Sequence, residues 1–257
     1  MQRYFIMHPL KEKKVNIIGE DVHHIIRVMR FKKGDKIICN DPEGNASICV
    51  ITNITKDMVE AEAVEPLLEN REMPVRVTIA QGLPKGDKLD LIIQKGTELG
   101  ACGFIPVQME RSVVQWDAKK SAKKLARLQK IAKEASEQCH RNKIPEIYQM
   151  MNLKQLVETS EAFDVKLFAY EEEAKVNVYS SLGDILMHVN LEDKVLLCIG
   201  PEGGFSEKEV NELKESGFLP VRLGPRILRA ETAPIYALSA ISYHFEELHN
   251  KGVRSDG

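Results

Sequence analysis

VLLCIGPEGGFSEKEVNELKESGFLPVRLGPRILRAET, residues 195–232, reads as a strand, a helix and a second strand, each strand running out into a loop. Five apolar residues, Val195 to Ile199, suit a short strand buried on both faces. Gly200-Pro201-Glu202-Gly203-Gly204 ends the run. Ser206 and Glu209 predict a capping box, with Phe205 and Val210 placed as the hydrophobic staple across it. Gly217 predicts the left-handed residue that stops this helix after Ser216. Phe218 to Leu223 predicts the second strand, broken at Gly224-Pro225. Loops at the C-terminal ends of strands line the ligand crevice of an open parallel sheet, so both loops are candidate binding segments. A Gly-Gly pair before a helix is often only a tight turn, but binding is the leading reading of the two loops.

The second loop carries Arg226 and Arg229 around Ile227-Leu228, then Glu231-Thr232. Two guanidiniums and a carboxylate suit an anionic or polar substrate, or an internal ion pair bracing the loop. The sequence leaves both open. A formal net charge of −2 gives no global support for a nucleic-acid partner, so any such contact must rest on local patches. Five scattered cysteines without a CxxC pair suit thiols in a reducing cytoplasm. The seven histidines show no metal-ligand spacing, and no run approaches membrane-spanning length. GxxxxGK[ST], GxGxxG, HExxH and GxSxG are absent, which weakens kinase, dehydrogenase and hydrolase readings.

Residues 1–70 predict a small separate domain. It begins at Arg3-Tyr4-Phe5-Ile6, and a helical pattern over Asp21–Arg30 with short strands at Lys36–Asn40, Ala46–Ile51 and Met58–Val64 suggests a compact β-barrel. Nine Lys/Arg between residues 3 and 36, including Lys11, face four acids, Glu12 among them. That local excess suits phosphate contact or a solvated face. From Pro74 the order strand (Val75–Ala80), helix (stripe Leu89, Ile92, Ile93, Leu99) and strand (Phe104–Val107) favours an α/β domain over 71–257. A lysine-rich helix spans Asp117–Asn142. A helical piece ending at Ser160 and the strand Val165–Tyr170 follow, then an acidic loop, Glu171-Glu172-Glu173, and a helix over Ser181–His188. A last helix, Ala233–Leu248, has Thr232 as its expected N-cap, and the tail GVRSDG is expected to be disordered.

IGPEGGFS and LGPRILRAETA, at this spacing, resemble the signature of the SPOUT-class RNA methyltransferases. With HHIIRVMRFKKGD, KGDKLDLIIQKGTELG and EQCHRNKIP, the resemblance covers nearly the whole chain and narrows to the bacterial small-subunit ribosomal RNA methyltransferase E family. It implies a PUA-like RNA-binding β-barrel over 1–70 and a SPOUT methyltransferase domain over 71–257, with a C-terminal trefoil knot. It also implies a homodimer that needs no metal, and S-adenosyl-L-methionine as the methyl donor to N3 of a uridine in 16S rRNA of the small subunit.

The residues it places at the cofactor are Phe168, Ala169 and Tyr170; Cys198, Ile199, Gly200, Pro201, Glu202, Gly203 and Gly204; and Leu223, Gly224, Ile227, Leu228, Thr232 and Ala233. Arg229 is expected to stabilise the developing imide anion of uracil, Arg226 to hold the loop, and Glu231 to orient an arginine or take the N3 proton. Glu202 is a second candidate base, or caps the helix after it. Arg3, Arg27, Arg30, Lys32, Arg111 and Arg141 are the expected RNA contacts. A sister enzyme acting on tRNA or 23S rRNA, and a non-catalytic RNA-binding or ribosome-assembly protein, are the alternatives.

Overall fold

The computed structural model describes residues 1–10, 13–170 and 181–248. Lys11 and Glu12, the acidic loop 171–173 and the tail GVRSDG lie outside them. The chain separates into two compact units, Met1–Glu72 with Lys133–Ile144, and Met73–Ala132 with the chain from Pro145 onward. Residues 133–144, expected to belong with the second domain, are thus part of the first. Lys133 Nζ lies 2.6 Å from Asp21 and 2.7 Å from Glu137, and the Arg141 guanidinium pairs with Glu72.

In the first unit β1 (Arg3–Phe5), β2 (Lys14–Ile18), β3 (Lys36–Asn40), β4 (Ala46–Ile54) and β5 (Met58–Leu67) form one sheet, ordered β1-β3-β4-β5-β2. β1 pairs with β3 in parallel and the other neighbours are antiparallel. Two register shifts between β4 and β5 bend the sheet, as bulges do. It therefore curls as an open half-barrel around Tyr4, Ile25, Ile37, Cys39, Ile51 and Val59. β2 escapes composition-based reading because its alternation of exposed and buried residues is only five residues long. The expected Asp21–Arg30 helix is one α turn, α1 (Glu20–His23), followed by π-helical backbone at His24–Val28.

In the second unit β6 (Arg76–Gly82), α2 (Lys88–Glu98), β7 (Gly103–Gln108) and α3 (Ala118–Gln138), whose residues from Lys133 belong to the first unit, lead to two-residue strands β8 (Glu146–Ile147) and β9 (Met151–Asn152). Then come α4 (Leu153–Ser160), β10 (Val165–Ala169), α5 (Leu182–Leu186), β11 (Lys194–Ile199), α6 (Glu207–Glu215), β12 (Leu219–Val221) and α7 (Thr232–Ser242). The seven strands run parallel in the order β12-β10-β11-β6-β7-β8, with β9 also on β7. One face packs Phe168, Leu196, Cys198, Phe205, Val210, Leu213 and Phe218 into a common core.

The box at Ser206 and Glu209 forms, and Gly217 takes φ +81° after α6. Thr232 is not the N-cap of the last helix. It is the first helical residue, and Glu231 at the cap position already has helical dihedrals and makes no side-chain cap. α7 continues into π-helical backbone at Tyr243–Leu248.

In the first unit Glu137 is 9 % exposed. Burial, with Asp21 and Glu134 nearby, pushes its carboxyl up to about 7, although Lys133 opposes the rise. The fold therefore favours protonated Glu137. Its contribution is complete below the ordinary value of 4.5 and is lost as pH rises through about 7. Glu137→Gln should accordingly lose less thermal stability than the unmodified protein between about pH 5 and about pH 8. Parallel melting curves across that window would refute the assignment.

Candidate active site

The ends of three parallel strands meet in register: Ala169 of β10 lies opposite Ile199 of β11 and Val221 of β12. The segments leaving them emerge side by side and enclose a cavity of about 890 Å³, a size suited to a small organic ligand. Tyr170 lines it together with Ile199–Phe205, Val221–Gly224 and Arg226–Ala230.

The glycine-rich loop is held from several sides. Gly82 ends β6, and a Cβ there would lie 2.6 Å from the Pro201 ring, so only glycine permits this approach. Gln81 Nε2 donates to Gly200 O at 3.4 Å, and Arg111 Nη1 donates to Gly203 O at 3.2 Å. A Cβ on Gly203 would stand 3.0 Å from that of Arg111. Beneath the loop, Phe205 meets Phe168 edge to face at 5.7 Å. Beyond it, Ser206 Oγ donates to Glu110 and Glu209 accepts from the Glu110 N–H, both at 2.8 Å, which fixes the start of α6.

The arginine loop is anchored through its backbone. Arg229 O accepts from Thr232 N–H at 2.9 Å and Ala233 N–H at 3.0 Å, joining it to the first turn of α7. Arg222 Nε donates to Gly224 O at 2.9 Å. Arg226 and Arg229 line the cavity with exposed guanidiniums that have no hydrogen-bond or ion-pair partner among the described residues. Among the described residues Arg226 thus makes no bracing bond.

The carboxylates belong to a different cation. Lys88 Nζ lies 2.9 Å from Glu202 Oε1 and 3.2 Å from Glu231 Oε2. Glu202 also accepts the Lys85 N–H at 3.1 Å, so it serves the approach to α2 and not the cap of α6. Burial works against ionised Glu202, but the bonds from Lys88 and Lys85 outweigh it and hold the carboxyl below its ordinary range. Glu231 therefore orients neither arginine.

Of the residues expected at the cofactor, Ala169, Tyr170, Ile199–Gly204, Leu223, Gly224, Ile227, Leu228 and Ala233 line the cavity. Phe168, Cys198 and Thr232 do not. Phe168 and Cys198 point from their strands into the core, where burial raises the Cys198 thiol far above its ordinary range. Thr232 is exposed on α7. Lys88, Phe205, Glu207, Val221, Arg222 and Ala230 line the cavity without having been singled out. No local pattern flags Lys88, because it reaches the site only through the strand order.

Arg111 lies at this cavity, gripping the glycine loop. The other expected RNA contacts belong to the first unit. Arg27, Arg30 and Lys32 are exposed on and after its π-helical turn. Arg3 and Arg141 are each 3 % exposed and are corrected to internal braces. Arg3 Nη1 donates to Arg141 O at 3.1 Å, and the Glu72 carboxylate accepts from the Arg141 guanidinium and from the Asn142 N–H. Among the described residues no group of three or more His, Cys, Asp or Glu is placed to hold a metal ion, and no helix is long and apolar enough to cross a membrane.

Residues 71–242 match the RNA methyltransferase domain family and residues 17–64 the RNA methyltransferase PUA domain. The chain is 48% identical to ribosomal RNA small subunit methyltransferase E of Bacillus subtilis (strain 168), over 96% of this chain and 98% of that protein. It is 35% identical to the Synechocystis protein of the same name, over 90% of this chain and 73% of the other. A crystal structure of a ribosomal RNA small subunit methyltransferase E from Neisseria gonorrhoeae bound to S-adenosyl methionine superposes with a TM-score of 0.84. That pair is 31% identical over 95% of this chain and 98% of the other. A Legionella pneumophila protein solved with bound SAM gives 0.83 at 32% identity, over 94% of this chain and 97% of the other. On this agreement across nearly its whole length, the chain belongs to the ribosomal RNA small subunit methyltransferase E family.

Proposed function

We propose that the cavity at the ends of β10, β11 and β12 binds S-adenosylmethionine, and that the protein methylates N3 of a uridine in 16S ribosomal RNA. The observation that carries this reading is the meeting at one cavity of the glycine loop and two arginines that have no partner among the described residues. The lining fits the donor: Ile199, Leu223, Ile227 and Leu228 supply apolar walls, and the backbone around Gly203 and Gly204 is open to close approach. When bound, the cofactor supplies an already activated methyl group, which leaves the protein to orient the partners and tune charge.

Uracil N3 is a poor nucleophile while it carries its proton. As that proton leaves, negative charge spreads onto the imide, and Arg229 and Arg226 are cations at the cavity without a partner among the described residues. Glu231 is the carboxylate next to this loop and the candidate acceptor of the proton, with Lys88 holding it in place. Arg27, Arg30 and Lys32 in the first unit serve as phosphate contacts. The reaction needs no metal, and the five free cysteines accord with a cytoplasmic setting.

Two structural features belong to the same reading. After β12, which pairs with β10 at the sheet edge, the chain returns past the strand ends to α7, which packs on α2 and β11. That course supports a C-terminal trefoil knot. Ile227 is 72% exposed and Tyr243 58%, leaving apolar surface on the arginine loop and at the end of α7 that supports a homodimer.

Arg229→Ala should keep its affinity for S-adenosylhomocysteine by calorimetry. Its methyl transfer to small-subunit RNA should fall about 10²–10³-fold, with a chelator present throughout. Unchanged turnover would remove Arg229 from the chemistry, and loss of wild-type turnover in the chelator would remove the metal-free mechanism. Light scattering should give twice the chain mass of 29.0 kDa; a monomer at assay concentration would contradict the dimer. Pulled from both ends in an optical trap, the chain should stop short of its full contour length. Extension to the full length would exclude the knot.

A further inference from the structure

Lys88, at the first residue of α2, lines the cavity where three segments meet. Its ammonium lies 2.9 Å from Glu202 on the glycine loop and 3.2 Å from Glu231 at the end of the arginine loop. Glu202 is also tied to the approach to α2 by the Lys85 N–H. Without a cation between them, the two carboxylates would repel each other across the cavity wall, and the two loops would lose their shared anchor to α2. Glu231 Oε2 is buried and makes no hydrogen bond among the described residues, so the Lys88 ammonium 3.2 Å away is its compensating charge. Arg226 and Arg229 have no partner among the described residues, whereas pairing them with these carboxylates would cancel the charge at the substrate.

We propose that Lys88 is a positioning residue for methyl transfer, a clamp that sets the separation of the glycine loop from the arginine loop by bridging Glu202 and Glu231. The inference rests on the reading of this cavity as the cofactor site. Placement errors of about 1 Å in such sites cost up to about 10²-fold. The bridging side chains of Lys88 and Glu202 are partly exposed, where ion pairs add little to global stability.

The test is calorimetric titration of S-adenosylhomocysteine into the full-length wild type, Lys88→Met, Lys88→Arg, Glu202→Gln and the Lys88→Met/Glu202→Gln double variant, with melting temperatures alongside. Lys88→Met should weaken binding by about tenfold or more with little change in melting, and Lys88→Arg should restore most of it. Glu202→Gln should weaken binding in the wild-type background and change it little once Lys88 is gone, because both act through one bridge. Wild-type affinity in Lys88→Met would overturn the clamp, as would fully additive losses, which would make Lys88 an independent ligand contact. Absence of binding by the wild type would instead overturn the cofactor site itself.

Discussion

The placement of β10 between β11 and β12 is the constraint on which the second unit depends. β11 and β12 are consecutive strands, but they are not neighbours in the sheet. With strands about 4.8 Å apart, the intervening strand holds their ends about 10 Å from each other. That gap suits a flat ligand, and the end of β10, at Ala169 and Tyr170, closes it from behind. Had β12 paired directly with β11, the two loops would abut and no cavity of this size would separate them.

Charge is distributed in keeping with that geometry. Two carboxylates beside the cavity, on Glu202 and Glu231, are assigned to Lys88, and Glu110 and Glu209 are consumed in the cap of α6, while Glu207 lines the cavity exposed. Among the described residues, Arg226 and Arg229 are left at the opening without a partner. An RNA enzyme with a net charge of −2 is therefore no contradiction, because recognition depends on which charges are left unpaired.

The first unit makes the complementary point. Arg3 and Arg141 look in sequence like members of a basic patch, yet both are buried and hold the segment 133–144 on the curled sheet. Arg27, Arg30 and Lys32 carry the same formal charge and face solvent. A guanidinium that satisfies a buried carbonyl and one awaiting a phosphate are indistinguishable in composition, because the difference lies in partners far away in sequence.

Local chemistry was legible from the chain alone. The strand Lys194–Ile199, the box at Ser206 and Glu209, the stop at Gly217 and the Gly-rich break depend on residues a few positions apart, where sterics and short hydrogen bonds decide. The quoted motifs also carried the family. Three things depended on the tertiary structure: that Cys198 and Phe168 turn into the core, that Glu202 answers to α2 more than a hundred residues earlier, and that Lys88 stands at the cavity at all. Each follows from which strands lie side by side, and strand order is a long-range choice that a local hydrophobic period does not encode.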